Sequence, residues 1–172
     1  MIEKDFITFL REIQKLSEPI TNKYLVKLKS ELQNYGDFDM PLSILFEVVY
    51  VYIHISHQQY GIDEEQYMEY IYWTEKYFNV YAKRMGDDLF SNKEQIELLE
   101  SVIWVYHMAY KREQEAFLCK QILESDAVDD AYKDWALDHL LLGMESSCIT
   151  KYEKNKYTEM RKIIPVGSKN TL

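Results

Sequence analysis

Apolar side chains recur every three or four residues along most of the chain, which is the spacing of amphipathic helices. In the first segment, for example, Phe6, Phe9 and Ile13 share one helical face. The third segment is apolar on nearly every side, which is typical of a central helix; its β-branched residues over 48–55 also allow a strand, but the run is long and unpunctuated. The pattern predicts helices over 3–16, 18–35, 41–59, 63–85, 92–109, 111–124, 125–143 and from 146 or 147 to 163. The sixth either continues the fifth or is separate.

Glycines and capping residues mark the expected ends of these helices. Gly36, Gly61 and Gly86 each follow a segment of helical period, and glycine commonly terminates helices. Asp63 and Asn92 precede helical segments and can accept hydrogen bonds from the first-turn amides. We therefore expect short loops between the helices.

The predicted fold class is all-α, as an antiparallel helical bundle or a short stack of helical hairpins with seven or eight helices of roughly 15–22 residues. Only 5 glycines and 3 prolines are present, too few for the turns of a many-stranded β fold. We predict one domain over residues 1–165 and a frayed tail over 166–172. No repeat signature accompanies the helical segments.

Charge is unevenly distributed along this acidic chain, whose net charge is -9. Residues 36–150 hold 8 Lys and Arg against 22 Asp and Glu, a net of -14, whereas 151–172 hold 6 against 2, a net of +4. An acidic body repels nucleic acid and favours a basic protein partner, while the basic tail could instead pair with that body. The chain has neither a signal-peptide pattern nor an apolar run of membrane-spanning length, so we expect a cytoplasmic protein that does not contact membranes.

The search for chemistry finds no enzyme signature. There is no glycine-rich phosphate loop, no G-x-S-x-G elbow, and no paired-cysteine motif. His54 and His57 lie one helical turn apart and could approach a metal ion, with His107 or His139 as further ligands, but two polar residues at a helix edge is the simpler interpretation. We therefore predict a non-enzyme without a cofactor or metal.

The segment 126–142 carries the clearest functional signal. On a helical projection, Leu137 and Leu141 fall on the side opposite the expected core face, among carboxylates that recur every four residues. An apolar centre with a charged rim is typical of a protein interface. A second packing layer, or pairing with the basic tail, would explain the same pattern. The predicted partner-binding residues are Asp126, Asp130, Asp134, Leu137, Asp138 and Leu141.

In size, acidity, aromatic content and lack of catalytic motifs, the chain resembles the cytoplasmic immunity proteins of bacterial contact-dependent and other polymorphic toxin systems. The resemblance implies a protein that binds and neutralises a basic toxin domain, such as a nuclease, whose cleft is cationic because it binds phosphates. The first alternative is a helical-hairpin adaptor that holds a peptide in an aromatic groove. The second is a metal protein or enzyme centred on His54 and His57. The sequence indicates no oligomeric state.

Overall fold

The computed structural model describes residues 3–36, 39–142 and 147–164 of the chain. This part is all-α, as predicted, with eight α-helices, a short 3-10 helix at Gly86–Phe90 and no β-strand. None of the helices in these ranges is long and apolar enough to cross a membrane. The helices are α1 (Glu3–Ile13), α2 (Asn22–Leu32), α3 (Leu42–Gln59), α4 (Glu64–Met85), α5 (Lys93–Met108), α6 (Arg112–Glu124), α7 (Asp130–Leu142) and α8 (Lys151–Arg161).

Two compact units divide the chain at Gly86: one over Met1–Gly86 and the other over Asp87–Leu172. The sequence pattern predicts one domain over residues 1–165 and gives no sign of this division. The predicted frayed tail, 166–172, lies outside the described residues.

Five helices fall below the predicted length of roughly 15–22 residues, with 11 residues in α1, α2 and α8 and 13 in α6 and α7. α2 begins at Asn22 instead of directly after Ser17, because Pro19 disfavours a helical backbone at the residue before it. Gly61 and Gly86 have φ angles of 74° and 54°, in the left-handed region that glycine adopts at helix ends.

Hydrogen bonds of the capping residues explain which predicted helix starts are confirmed. Asp63 and Asn92 each accept a hydrogen bond from the backbone amide three residues later, so the predicted starts of α4 and α5 are confirmed. α7 instead begins at Asp130, because the Ser125 hydroxyl accepts a hydrogen bond from the nearby amide of Ala127 and forms a turn.

The first unit is built around α3, which packs against α4 and α1. Its apolar sequence is buried on several sides, and a charged residue is buried with it. Glu47 accepts hydrogen bonds from Arg11 at 2.6 Å and from the Gln14 side chain at 2.8 Å, which offset the cost of burying its carboxylate. The buried apolar residues of α3 include Ile44, Leu45, Val48, Val49, Val51 and Ile55.

In the second unit each helix packs on the next, in the order α5, α6, α7 and α8. Apolar side chains of α5, α6 and α7 form its core, to which α8 adds Tyr157. This arrangement brings side chains from three helices together at the site described below. The core includes Leu98, Leu99, Val102, Cys119, Ile122, Leu137 and Leu140.

Candidate functional site

The side of α7 predicted to bind a partner is largely covered in the structure. Leu137 is fully buried, Asp134 is 5% exposed and Leu141 is half-buried. The Arg161 guanidinium, at the end of α8, donates hydrogen bonds to the carboxylates of both Asp134 and Asp138. The expected exposed acidic face with Leu137 at its centre is therefore not formed. These carboxylates instead pair with Arg161, which belongs to the basic segment 151–172.

The position of α7 between two neighbours explains this correction. α7 packs against α6 and also against α8. A helical projection identifies an exposed side only when one side of the helix faces the protein. Because α8 follows α7 in the chain and returns over it, residues placed opposite the core face are buried as well.

Ion pairs hold α8 against α6 in addition to its contact with α7. Lys120 contacts Glu153 at 2.9 Å, and Lys156 contacts Glu124 at 2.8 Å, beside the buried ring of Tyr157. The hydrogen bond from Lys120, together with a backbone amide at the start of α8, lowers the pKa of Glu153 to about 2. Two basic residues of α8, Lys156 and Arg161, therefore form ion pairs within the second unit.

An acidic surface does form at the other end of α7. Burial raises the pKa of Tyr132, and the nearby carboxylates of Glu97, Glu100 and Asp129 raise it further. Carboxylates from α5 and from the turn before α7 therefore act on the same phenol. We call Glu97, Glu100 and Asp129 the acidic end of the second unit.

Two of the predicted partner-binding residues, Asp126 and Asp130, are exposed beside Asp129 in the chain. On α5, the acidic end continues into an aromatic residue, because positions 97, 100 and 104 share one helical face. Trp104 at that position is 45% exposed. The Lys93 ammonium lies 3.7 Å from the Glu97 carboxylate, but so exposed a pair neutralises little of the field.

The histidines singled out as metal ligands are used differently in the structure. The His54 ring nitrogen Nε2 lies 2.9 Å from the Leu16 carbonyl oxygen and 3.0 Å from the Gln58 amide nitrogen. His57 is exposed. In the described part of the first unit, no carboxylate, cysteine or further histidine joins them as a metal-ligating cluster.

A buried carboxylate joins two histidines in the second unit. The Nδ1 atoms of His107 on α5 and His139 on α7 each lie 2.9 Å from Oε1 of Glu115 on α6. Arg112 donates a hydrogen bond to Oε2 at 2.8 Å. Burial of Glu115 raises its pKa, but the hydrogen bonds from His139, Arg112 and His107 outweigh this effect and hold the pKa below its ordinary value. Glu115 is therefore a carboxylate that is fully buried and fully partnered.

Aromatic rings enclose this cluster. Trp104 stacks on His107 with ring centroids 5.4 Å apart, and Trp135 lies 4.2 Å from His139. Such contacts restrict rotation of the imidazoles and lower the local dielectric around them. The indole of Trp104 therefore shares a face of α5 with Glu97 and Glu100 and also packs against His107 of the cluster.

Two imidazole nitrogens and a carboxylate can share protons or bind a divalent metal ion. Nucleophilic chemistry has less support here. Cys119, one turn after Glu115, is fully buried, and burial raises the pKa of its thiol, so a reactive thiolate is disfavoured.

The sequence predicts His107 and His139 only as further ligands of a metal ion at His54 and His57, and it does not single out Glu115. No local spacing connects the three, because they come from different helices. One signal could have found Glu115: it shares a helical face with Cys119 and Ile122, so a carboxylate occupies a core position of α6.

Comparison of the chain with protein-family models, with characterised proteins and with solved structures finds no match. Function is therefore inferred from the geometry and chemistry of the residues above. The acidic end and the His107–Glu115–His139 cluster are the two features that carry those inferences.

Proposed function

We propose that this chain is a non-catalytic protein-binding module that neutralises a basic protein domain, in the manner of a bacterial immunity protein. The carrying observation is one face of α5, where the exposed Glu97 and the half-buried Glu100 lead to the half-exposed ring of Trp104, while the exposed Asp129 acts on the same phenol as the two glutamates. This surface replaces the face of α7 that the sequence predicted.

Electrostatics and anchoring support this choice. Clustered carboxylates accelerate encounter with a cationic surface, and a nuclease cleft is such a surface because it binds phosphates. Tryptophan is enriched among residues that contribute most to binding, since a rigid ring buries a large area at low entropic cost. Trp104, with its other side stacked on His107, is held ready for that contact.

The experiment uses the C-terminal domain of a secreted protein encoded directly upstream of this gene as the probe. We expect the combined change Glu97→Lys and Asp129→Lys to slow association by about 10-fold or more at low salt. Trp104→Ala should mainly speed dissociation. The matched control reverses two exposed carboxylates of the first unit, Glu12→Lys and Glu18→Lys, and should change association much less.

Each outcome bears on the proposal. A loss confined to the second-unit variants, which shrinks as salt rises, supports it. Equal effects of the two double variants would reject the acidic end as the binding surface. Absence of an upstream toxin gene, or growth arrest that this chain does not relieve, would reject toxin neutralisation.

One observation favours the adaptor alternative. The first unit has a cleft of about 300 Å³ lined mainly by aromatic and basic side chains, a chemistry that suits a peptide bearing both apolar and acidic residues. A peptide-library screen should then enrich such peptides, and Trp73→Ala should abolish the enrichment. Enrichment unaffected by that change would reject the cleft. Its lining residues are Lys29, Leu32, Gln33, Tyr35, Tyr52, Trp73, Lys76 and Tyr77.

A further inference from the structure

We propose that His107, Glu115 and His139 bind one divalent transition-metal ion of the zinc class. One imidazole nitrogen from each histidine and a carboxylate oxygen of Glu115 all lie within 4.8 Å of one another. Each residue comes from a different helix, so the packing of α5, α6 and α7 creates the site. Trp104 borders both this site and the proposed partner surface, but none of the three ligands is a partner-binding residue, and the proposal does not depend on partner binding.

The donor set matches the chemistry of this class of ion. Zinc accepts imidazole nitrogen and carboxylate oxygen, and two histidines with one glutamate leave a fourth position for water or another ligand. Zinc–nitrogen distances of about 2.0–2.1 Å place neighbouring tetrahedral ligands roughly 3.4 Å apart. The Nδ1 atoms of His107 and His139 each lie 2.9 Å from Glu115 Oε1, so small side-chain movements would admit the ion.

Proton placement in the cluster gives a second argument. Nδ1 of His107 lies 2.9 Å from Glu115 Oε1 and 2.7 Å from the Arg112 guanidinium nitrogen. A protonated Nδ1 can donate to the carboxylate but opposes the guanidinium, whereas an unprotonated Nδ1 does the reverse. One nitrogen therefore cannot satisfy both neighbours. A metal ion removes the conflict with Glu115, because both atoms then direct lone pairs at a common centre. The single lone pair of Nδ1 is then taken by the ion, and Arg112 donates to Glu115 Oε2 instead.

Arg112 and the surrounding indoles suit this role. The guanidinium donates to Oε2 of Glu115, which leaves Oε1 for the ion, and hydrogen bonding of this kind orients a ligating carboxylate. The ion can approach past His107, whose side chain is 30% exposed, whereas that of His139 is 12% exposed and Glu115 is fully buried. Trp104 and Trp135 hold the two imidazole rings in place.

The test titrates chelator-treated, tag-free protein with Co²⁺, which reports its coordination by visible absorption. We expect saturation at one ion per chain, displacement of that ion by Zn²⁺, and a higher unfolding temperature with Zn²⁺ present. His107→Ala, His139→Ala and Glu115→Gln should each lose the saturable binding. The matched control, His57→Ala, removes an exposed histidine of the first unit and should bind as the unaltered chain does.

Absence of saturable Co²⁺ binding by the unaltered chain would overturn the proposal. This result does not depend on whether any substituted variant folds. Binding that survives both His107→Ala and His139→Ala, or that disappears with His57→Ala, would place the ion elsewhere and overturn it too. The far-ultraviolet circular dichroism of each variant shows whether its helices are retained.

Discussion

Replacing Arg161 by methionine tests how α8 is held over α7. The substitution keeps an unbranched apolar side chain but removes the guanidinium that donates to Asp134 and Asp138. The carboxylate of Asp134, whose side chain is 7% exposed, would then lose its ion pair with Arg161. Removal of one partner from such a pair is costly because the remaining charge cannot recover its hydration.

The expected magnitude follows from the exposure of each pair. A hydrogen bond to a charged group contributes about 1.5–3 kcal/mol, and this applies to the nearly buried Asp134. The pair with Asp138, whose side chain is 46% exposed, contributes about 0–1 kcal/mol. We therefore expect Arg161→Met to lower the free energy of unfolding of the second unit by about 1.5–4 kcal/mol.

Urea denaturation combined with amide hydrogen exchange measures this loss where it occurs. Amides of α8 should lose protection first, since the substitution releases that helix from α7. The neighbouring residue provides a matched control: Lys162 pairs with Glu159, and both side chains are more than half exposed. Lys162→Met should change stability by no more than about 0.5 kcal/mol.

Equal losses for Arg161→Met and Lys162→Met would refute the reasoning, because the nearly buried pair and the exposed pair would then contribute alike to stability. A double variant sharpens the comparison. Because Asp134→Asn removes the charge that Arg161 compensates, we expect the two changes together to cost less than the sum of their separate costs, by about 1 kcal/mol or more.

Three further predictions address packing, pH and thiol reactivity. Leu137→Ala should lower the free energy of unfolding by about 2–5 kcal/mol because it leaves a cavity in the core. Phe117→Ala, at a residue that is 60% exposed, should change the free energy of unfolding little in the same urea assay. The hydrogen bond from Lys120 lowers the pKa of Glu153 to about 2 in the folded chain. The ionised Glu153 should therefore stabilise the fold above its ordinary pKa, and this stabilisation should be lost as the pH falls from about 4.5 towards 2. Glu153→Gln should flatten stability over that range, measured by denaturation at each pH. A thiol reagent should modify Cys148 rapidly and the buried Cys119 only on unfolding.

What the sequence could predict was local. The caps at Asp63 and Asn92 depend on a side chain and an amide three residues apart, so their chemistry is visible in the sequence. The burial of α3 follows likewise from its own composition. The helix-forming pattern therefore determined the fold class, whereas the division at Gly86 depends on which helices pack together.

The candidate sites depend on contacts between helices, and there the sequence pattern was insufficient. Leu137 lies opposite the expected core face of α7, yet α8 packs on that helix and supplies Arg161 to its carboxylates. The metal-ligating cluster brings Glu115 together with residues 8 and 24 positions away, separations that form no recognisable motif.

The stacking of Trp104 on His107, and of Trp135 against His139, gives the second unit an intrinsic optical reporter. A protonated imidazole quenches the fluorescence of an adjacent indole, and an ion bound at the imidazole changes that quenching. Trp73, the remaining tryptophan, belongs to the first unit and can be replaced by phenylalanine to remove its background emission. Emission from the other two indoles then records protonation or occupancy of the cluster in solution without an added label.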